Sequence, residues 1–534
     1  MRSGRKTVEF LRYNFMQSAA KMKGSATVQG DLRLQTRAVK DMENVDLEDA
    51  LNLTGFGKYQ FFHCALMLFT MLSAMLEMIG VAFILPAAAC DLQVPDSLKG
   101  ILTSIPNLGV ILTAALWGRA ADSLGRKPVM AFSAAVASVM GLLAAFMPNL
   151  LGFALCKLAG SLFLSCPSSL CYAYACEMIP KKNRDKTVLI CNGLIMLLST
   201  LNPALAWLIL PYSWSYQFGV LALRPWRLLT MVYVLPLLLA AFMILGVEES
   251  PKFLVTRGKY HEALAVLGRV YAVNTGTGPE EYCVKSLKST SDAASEVSDG
   301  SSCELAPTPS NPSAMALLKP PHLKWLALTG FLMFGLFSLL NGLFLFAPDI
   351  INKVMNDKEV GTICVLLNQI NNNTSSNSTC VDSMSQDTFQ IMVITTLIYG
   401  VIVMAASLSP LSKKTLLVSM YSIVGIACLI SGLTTNSILI GISMSSQQLT
   451  SLGIGPLTAY AVRLFPTSLR GTAVGTVLML GRLGSAVGAN VAGLLLAAAC
   501  SATFYGFTAL IFLCAALSFL LPGEESTSDS EDGS

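Results

Sequence analysis

Residues 118–127 read GRAADSLGRK and place four charged side chains and two glycines within ten positions. This charged turn separates two apolar segments, ILTSIPNLGVILTAALW (101–117) and PVMAFSAAVASVMGLLAAFM (128–147). Both approach the ~20 residues that an α-helix needs to cross the hydrocarbon core of a bilayer. The pattern therefore predicts two transmembrane helices joined by a short turn at one membrane surface.

Composition extends this prediction to the whole chain. Of the 534 residues, only 13% are charged and 53% are hydrophobic, whereas soluble proteins carry about 25% charged residues. The first 58 residues are polar and basic and contain no apolar core of a signal peptide. Recurring apolar runs predict an all-α membrane protein with twelve transmembrane helices, at 60–85, 100–117, 128–147, 150–173, 187–210, 227–246, 323–347, 387–407, 414–433, 436–460, 471–495 and 502–521.

The distribution of basic residues predicts the orientation of these spans. Because cytosolic loops of membrane proteins are enriched in Lys and Arg, both termini are expected in the cytosol. In that orientation the outer connections carry four basic residues, Lys99, Arg224, Lys353 and Lys358. The inner connections between spans carry eleven: Arg119, Arg126, Lys127, Lys181, Lys182, Arg184, Lys186, Lys413, Lys414, Arg463 and Arg470.

A polar stretch at 247–322 separates six spans from six and predicts two six-helix halves joined by a cytosolic linker. Its first part, SPKFLVTRGKYHEALAVLGRVYAV, has helical spacing and predicts one or two short helices. Its second part, STSDAASEVSDGSSCELAPTPSNPS, is rich in Ser and Pro and predicts disorder. The expected organisation is a cytosolic N-terminal segment (1–58), an N-terminal six-helix bundle (59–246), the linker (247–322), a C-terminal six-helix bundle (323–521) with a glycosylated outer loop (350–386), and an acidic cytosolic tail (522–534).

The outer loop between spans 7 and 8 contains the stretch CVLLNQINNNTSSNSTC, in which two cysteines flank three glycosylation sequons. Asn372, Asn373 and Asn377 are expected to carry glycans, because such sequons are modified only on the lumenal or extracellular face. A disulfide between Cys364 and Cys380 is expected in that oxidising compartment.

Two six-helix halves joined by a linker predict a transporter built from repeated halves, with its site near the bilayer midplane. In such an architecture, Gly118 and Gly125 permit close backbone approach and unusual dihedrals. Asp122 can meet the positive N-terminal end of a neighbouring helix or an Arg, and Arg126 and Lys127 anchor in the anionic headgroup layer. A mere topology marker needs only the two bases, so we expect these five residues to form a conformational latch.

GRAADSLGRK matches the signature G-x-x-x-D-x-x-G-R-K and so resembles the major facilitator superfamily. EMIPKKNR (177–184) and EESPKFLVTRGKYHEA (248–263) resemble the segments that follow spans 4 and 6 in its sugar and organic-ion porters, with Lys252 in place of the usual Arg. FPTSLRGTAVGTVLMLGRLGS (465–485) resembles the corresponding turn of the second half. The resemblance implies a major facilitator fold and adds to the latch Glu177, Arg184, Glu249 and Arg470.

Three further stretches resemble synaptic vesicle glycoprotein 2 and its close relatives: VDLEDALNLTGFGKYQ (45–60), WLILPYSWSYQFGVLALRPWR (207–227) and LFLFAPDII (343–351). The chain also departs from that group. Its outer loop between spans 7 and 8 has fewer than 40 residues, and Ala74 stands where relatives carry an Asp. In the second half, SLSPLSKK (407–414) lacks the Gly and Asp of the first-half turn, so the latch is expected to be asymmetric between the halves.

Charged side chains inside a span are rare and costly, and three are predicted here. Glu77 in span 1 and Lys157 in span 4 lie at similar depth, roughly 10–12 Å below the outer surface at about 1.5 Å per residue, and can pair. The pair can respond to a proton or to a cationic solute, or it can be a static ion pair. The third residue, Arg482 in span 11, is a further site candidate, although we expect it to hold helix contacts.

Neutral polar side chains within the spans are further candidates for contact with a solute: Asn192, Asn202, Asn341, Gln447 and Gln448. Asp349, at the outer end of span 7, is expected to be a helix-end or gate residue. The three histidines lack metal-ligand spacing, and the sequence contains no nucleotide-binding loop and no nucleophile triad. We therefore expect no metal, no cofactor and no enzymatic activity.

The leading hypothesis is a secondary-active transporter of a small organic solute, neutral or ionic, that works by alternating access with protons as the candidate coupling ion. The alternative is a synaptic or secretory vesicle membrane protein that transports weakly or not at all and serves in binding or trafficking. The expected partners are the solute, protons and the lipid bilayer, without nucleic acid, and the chain is expected to be a monomer. Both the plasma membrane and a secretory or synaptic-type vesicle membrane remain open as locations.

Overall fold

The structure is a computed structural model that describes residues 42–288, 317–320, 322–356, 361–367, 384–409, 411–465 and 469–523, apart from 213, 219, 220 and 318. The described residues are mainly α-helical. The segment predicted to be disordered and the acidic tail after residue 523 lie outside these ranges. Below, "inner" and "outer" follow the orientation predicted from the basic residues.

The first six spans coincide with the predicted apolar runs. Span 2 continues seven residues beyond its predicted end at 117, because its last turns carry the charged side chains of the turn while keeping helical hydrogen bonds. The helices are Lys58–Ala88 (span 1), Asp96–Leu124 (span 2), Arg126–Ala145 (span 3), Leu150–Glu177 (span 4), Lys181–Leu198 with Leu201–Ile209 (span 5) and Pro225–Ile244 (span 6). A short antiparallel hairpin, Tyr216–Phe218 with Leu221–Leu223, lies between spans 5 and 6.

The second set of spans includes two interrupted helices. Span 7 comprises His322–Leu340, the 3₁₀ helix Leu343–Phe346 and Ala347–Asn356, so its helix continues past residue 350, where the outer loop was expected to begin. Span 10 comprises Ser437–Ser445, the 3₁₀ helix Ser446–Gly453 and Ile454–Arg463. The uninterrupted helices are Gln386–Ser407 (span 8), Lys413–Leu433 (span 9), Arg470–Ala498 (span 11) and Cys500–Ser518 (span 12).

Among the described residues, eleven helical segments are long and apolar enough to cross a membrane. The segment assigned as span 10 is not one of them, because its 3₁₀ interruption divides it into short pieces. The count of twelve spans and the cytosolic location of the termini therefore stay predictions.

Close backbone contacts at glycines hold helices together both within and between the two sets of spans. A Cβ at Gly342 would collide with the Ser338 carbonyl oxygen and the Gly488 backbone, which brings spans 7 and 11 together. Between the sets, the Gly100 backbone of span 2 contacts Gly493 of span 11. In the same way, Gly400 of span 8 lies against the Leu197 backbone of span 5. The two sets of spans therefore meet along spans 2 and 11 and along spans 5 and 8.

A layer of short elements covers the inner ends of the first set of spans. After the predicted orientation we call this layer the cytosolic cap (residues 42–57 and 247–288); it contains the helices Leu47–Leu53, Pro251–Thr256 and Tyr260–Thr275. The last two lie in the part of the linker where one or two short helices were predicted. Parallel bridges pair Met42 with Val284 and Val45 with Leu287, so the N-terminal segment and the linker pack together.

The cysteine pairing predicted within the outer loop is wrong. Cys364 is bonded to Cys500, and their Cα atoms are 5.4 Å apart, within the usual range for a disulfide. Cys500 begins span 12 and lies 136 residues after Cys364 in the sequence. The prediction relied on closeness in sequence, which does not show where the start of span 12 lies in space. Cys380 lies outside the described residues, as do Asn372, Asn373 and Asn377, so glycosylation stays a prediction.

Candidate functional site

The two charges predicted inside spans 1 and 4 meet in the structure. Lys157 Nζ lies 2.6 Å from Glu77 Oε1, and the two side chains are 5% and 9% exposed. Gly141 of span 3 has no side chain to fill the space beside Glu77 Oε1. The second carboxylate oxygen, Oε2, is buried and makes no hydrogen bond with any described residue. The pair thus keeps one unused acceptor that can take a proton or a donor from a ligand.

The latch turn between spans 2 and 3 depends on Gly125 and Glu249. Gly125 has φ +107° and ψ 154°, a conformation essentially restricted to glycine. The Glu249 carboxylate accepts hydrogen bonds from the backbone N–H groups of Arg126 at 3.0 Å and Lys127 at 3.3 Å. A carboxylate at a helix N-terminus is favourable because it satisfies free N–H groups and meets the positive end of the helix dipole. The sequence allowed Asp122 to lie either at the N-terminus of a neighbouring helix or beside an arginine. Glu249 takes the first of these two positions.

Asp122 takes the other position, next to an arginine. Its carboxylate lies 2.9 Å from Arg126 Nη2, and its side chain is 72% exposed. Arg126 makes a more buried pair with Glu177, through Nε at 3.1 Å and Nη2 at 3.1 Å. Arg257 of the cytosolic cap donates to the Asp122 and Ser123 carbonyl oxygens at 3.1 and 2.6 Å. The turn is thus bound both to span 4 and to the cap.

The remaining latch candidates differ from expectation. Gly118 has free space at its Cβ position, so the close approach expected there is absent. Arg184 pairs with Glu48 of the cap at 3.2 Å and donates from Nε to the Cys176 carbonyl oxygen at 2.9 Å, because the start of span 5 faces the N-terminal segment. The side chain of Arg470 lies outside the described part of the chain.

Buried amides lie on spans 5 and 10, and one of them joins the two sets of spans. Gln448 Nε2 donates to Ser199 Oγ at 2.8 Å and so joins span 10 to span 5. The side-chain atoms Asn202 Nδ2, Asn202 Oδ1, Gln447 Oε1 and Gln448 Oε1 are buried and have no hydrogen-bond partner among the described residues. We call Ser199, Asn202, Gln447 and Gln448 the midplane amide group, because they lie near the middle of the predicted spans 5 and 10. Gln447 and Gln448 lie in the 3₁₀ interruption of span 10.

The outer end of this boundary is closed. Asp349 of span 7 pairs with Lys99 of span 2 at 3.5 Å and with Lys353 at 3.2 Å. Asn490 Nδ2 of span 11 donates to Ser104 Oγ of span 2 at 3.1 Å. The cavity beside Lys99 and Asp349 has a volume of about 10 Å³, which is barely enough for one water molecule.

A family model described as the Major Facilitator Superfamily matches residues 66–368, which is more than half of the chain. The chain belongs to the major facilitator superfamily. It is therefore a multi-pass membrane protein of a transporter family rather than an enzyme family. The groups of His, Cys, Asp and Glu among its described residues include none that could hold a metal ion.

Known members of the superfamily resemble the chain in sequence and in fold. Synaptic vesicle glycoprotein 2A of Rattus norvegicus is 30% identical over 239 residues, 44% of this chain and 32% of that protein. Synaptic vesicle glycoprotein 2B of Homo sapiens is 28% identical over 269 residues, 49% of this chain and 39% of that protein. The matched region thus spans about a third of the length of these relatives.

Solved structures share the fold at low sequence identity. The xylose transporter XylE from E. coli, in a partially occluded inward-open conformation, gives a TM-score of 0.59 at 15% identity and covers 87% of this chain and 99% of that one. A crystal structure of a D-xylose–proton symporter gives 0.55 at 14% identity, covering 87% of this chain and 98% of the other. These matches support the major facilitator fold.

Three other predicted site residues take no part in the Gln448–Ser199 hydrogen bond that joins the two sets of spans. Asn341 Nδ2 donates to Ser485 Oγ at 3.2 Å and joins spans 7 and 11. The Arg482 guanidinium lies over the Phe337 ring, 5.4 Å from its centroid, which agrees with the helix contact expected for it. Asn192 is half-buried on span 5.

Two ion pairs at the outer face were missed by the sequence analysis. The sequence analysis treated Lys99 only as an outer basic residue and Asp349 as a helix-end or gate residue, and did not pair the two. Arg227, the first residue of predicted span 6, is buried and lies 3.2 Å from Asp91, which also accepts a hydrogen bond from Trp226 Nε1 at 3.1 Å. Charged residues are common at span boundaries, so the position of Arg227 gave little indication that its side chain is buried. The one signal was that Arg227 directly adjoins an apolar run, where a buried charge needs a partner.

Proposed function

We propose that this chain is a secondary-active transporter that moves a small organic solute by alternating access. The observation that carries the proposal is the Gln448–Ser199 hydrogen bond, which crosses between the two sets of spans at 2.8 Å beside buried, unpartnered amide atoms. In transporters with repeated halves, the substrate binds near the midplane between them, often where a helix is discontinuous. The position of Gln447 and Gln448 in the interrupted part of span 10, with Gln448 bonded to Ser199 of span 5, supports such a site here.

The chemistry of the midplane amide group suits a polar solute. Leaving a buried donor or acceptor without a partner costs about 1–3 kcal/mol. A hydroxyl, carbonyl or amine group of a solute would satisfy the free amide atoms of Asn202, Gln447 and Gln448. Binding would also compete with the direct Gln448–Ser199 contact and so loosen one link between the two sets of spans.

Glu77 and Lys157 are our candidates for coupling. A proton on Glu77 would remove the charge that holds Lys157 at 2.6 Å, and the ammonium would then need another partner. One structural neighbour is by its title a D-xylose–proton symporter, which supports the proton as coupling ion. In this proposal protonation of Glu77 accompanies solute movement.

Alternating access requires the closed outer end to open. The Lys99–Asp349 pair and the Asn490–Ser104 hydrogen bond would have to separate. On the inner side, the latch turn would keep span 3 aligned with span 4 and with the cytosolic cap through Glu249 and Arg126. We assign the latch this positioning role during the conformational change.

The second candidate function is a vesicle membrane protein with weak or absent transport. It is favoured by the second-half turn, where SLSPLSKK lacks the Gly and Asp of the first-half signature. The names of the synaptic vesicle glycoproteins 2A and 2B point in the same direction.

The deciding experiment measures uptake of a panel of organic cations, organic anions and sugars into proteoliposomes, with and without an inward proton gradient. We expect gradient-dependent uptake by the unmodified chain. Uptake should fall at least tenfold in Gln448→Ala. In Glu77→Gln, uptake should no longer depend on the proton gradient. Glu262→Gln is the matched control, since Glu262 is an exposed acid whose ion pair among the described residues is with Lys259 on the cap.

The outcomes separate the two functions. Gradient-dependent uptake that survives Glu77→Gln would retain the carrier and leave Glu77 as a structural residue. If Glu77→Gln does not fold, the double variant Glu77→Gln/Lys157→Met removes both charges and serves the same purpose. Absence of uptake from folded protein would overturn the transport proposal in favour of the vesicle protein.

A further inference from the structure

A cavity of about 230 Å³ lies on the inner face, between the cytosolic cap and the ends of spans 4 and 5. Its apolar wall includes Leu47 and Leu51 of the first cap helix. Its charged wall includes Glu48, Glu177, Arg184 and Lys252. The cavity is therefore built from three parts of the chain that are distant in sequence. It is separate from the midplane amide group.

The two acids of this cavity are already engaged. Both oxygens of Glu48 accept from Arg184 Nη2, at 3.3 and 3.2 Å. Both oxygens of Glu177 accept from Arg126, at 3.1–3.3 Å. Their negative charge is thus largely balanced by neighbouring guanidinium groups.

The two cations keep unused donors. Arg184 donates through Nε and Nη2, while its Nη1 makes no hydrogen bond with any residue that the structure describes. Lys252 is exposed, and its Nζ likewise has no ion-pair or hydrogen-bond partner within the described ranges. By formal count the cavity wall is neutral, but the donors still available in it are cationic.

We propose that this cavity binds a small organic anion, one that carries a single carboxylate or phosphate group on a short apolar body. The anionic group bridges Lys252 Nζ and Arg184 Nη1, and the apolar body lies against Leu47 and Leu51. Guanidinium and ammonium groups are the usual partners of carboxylate and phosphate oxygens. A cavity of about 230 Å³ has the volume of about eight liquid water molecules at about 30 Å³ each, which suits a compact anion of that size.

Occupation of the cavity would connect elements of the latch. Arg184 lies in the first turn of span 5, and Lys252 lies in the cap helix that begins two residues after Glu249. Glu249 in turn caps span 3. An anion between Arg184 and Lys252 would therefore fix span 5 against the cap and stabilise the latched arrangement, which makes the cavity a regulatory site distinct from the transport site.

The test measures binding of radiolabelled benzoate and phenyl phosphate to the full chain in phosphatidylcholine nanodiscs. Benzamide is the neutral competitor, since it matches the shape of benzoate without its charge. We expect saturable binding that benzamide does not displace, a tenfold or greater loss of affinity in Lys252→Gln, and retention in Lys252→Arg. Lys259→Gln is the matched control, because Lys259 lies on the same cap but outside the cavity.

A second arm identifies the source of the anion. Nanodiscs that contain phosphatidic acid are compared with pure phosphatidylcholine nanodiscs. If phosphatidic acid displaces benzoate from the unmodified chain but not the residual benzoate binding of Lys252→Gln, the proposal holds with a lipid headgroup as the ligand. If it does not displace benzoate, the ligand is a soluble anion.

Equal affinity of Lys252→Gln and the unmodified chain would overturn the proposal, as would absence of saturable binding in both kinds of nanodisc. Binding abolished by Gln448→Ala rather than by Lys252→Gln would also overturn it, because the anion would then occupy the midplane amide group. Uptake is not measured, so the result does not depend on whether the chain transports.

Discussion

The turn between spans 2 and 3 and the turn between spans 8 and 9 have corresponding positions in the two sets of spans, yet different chemistry holds them. Glu249 caps span 3 with a carboxylate, whereas Ser412 caps span 9 with a hydroxyl that accepts from Thr415 N at 3.2 Å. Lys414 donates to the Phe519 and Leu521 carbonyl oxygens at 2.8 and 2.9 Å, at the end of span 12. The first turn thus contains ion pairs, whereas the described contacts of Ser412 and Lys414 in the second turn are with neutral groups.

The same contrast holds deeper in the spans. The first set contains the buried Glu77–Lys157 ion pair, while the second contributes the neutral amides Gln447 and Gln448. Removing one member of a buried ion pair leaves an uncompensated charge, which costs more than removing one partner of a neutral hydrogen bond. Matched substitutions in the two sets should therefore have unequal effects, and the first set should be the more sensitive.

The largest effect is expected at the buried pair. Glu77→Gln leaves the Lys157 ammonium without its anion and should lower the free energy of unfolding by about 3–5 kcal/mol. The neutral comparison is Gln448→Ala, expected to cost about 1 kcal/mol through loss of its hydrogen bond to Ser199. Thermal unfolding in detergent measures both. Equal losses would mean that the charge of the pair has no special weight, and partial recovery in Glu77→Gln/Lys157→Met would attribute the loss to the unpaired Lys157.

The next effect compares the cations of the two turns. Arg126→Gln removes the contacts to Glu177 and Asp122 and should cost about 1.5–3 kcal/mol, as for hydrogen bonds to charged groups. Lys414→Gln, which among the described residues loses contacts to carbonyl oxygens alone, should cost about 0.5–1 kcal/mol. Added salt should reduce the difference between the two losses of unfolding free energy, because it weakens the partly exposed contact between Arg126 and Asp122. A larger loss for Lys414→Gln than for Arg126→Gln would reverse the comparison.

The smallest effect lies within the first turn itself. Gly125→Ala forces a residue with a Cβ into φ +107° and should cost about 1–3 kcal/mol. Gly118→Ala is the control, because nothing lies near its Cβ position, and it should be neutral or slightly stabilising through higher helix propensity. Unfolding of the two variants side by side checks this, and equal destabilisation would show that Gly118 makes a contact in another conformation of the protein.

Several site residues were predictable because chemistry in a membrane leaves few choices. Because Glu77 and Lys157 are isolated charges within apolar runs, each needed a partner. Their similar depth in the membrane predicted that they pair with each other. The partners of Arg184 and Asp349 were not predictable in this way. Glu48 and Lys99 lie in polar segments, where a charge carries no signal, and only the folded chain brings them within 3.2 and 3.5 Å of these residues.

The sequence alone determined that this protein is a helical membrane protein of the major facilitator type, because hydropathy, span length and the Gly-Asp-Gly-Arg-Lys turn depend on local chemistry. Tertiary structure alone decided that Cys364 pairs with Cys500, that Glu249 rather than Asp122 caps span 3, and that span 10 is interrupted at Gln447 and Gln448. Each of these depends on which helix ends meet in space. Helix packing between distant segments sets that geometry, and no pattern within a single segment records it.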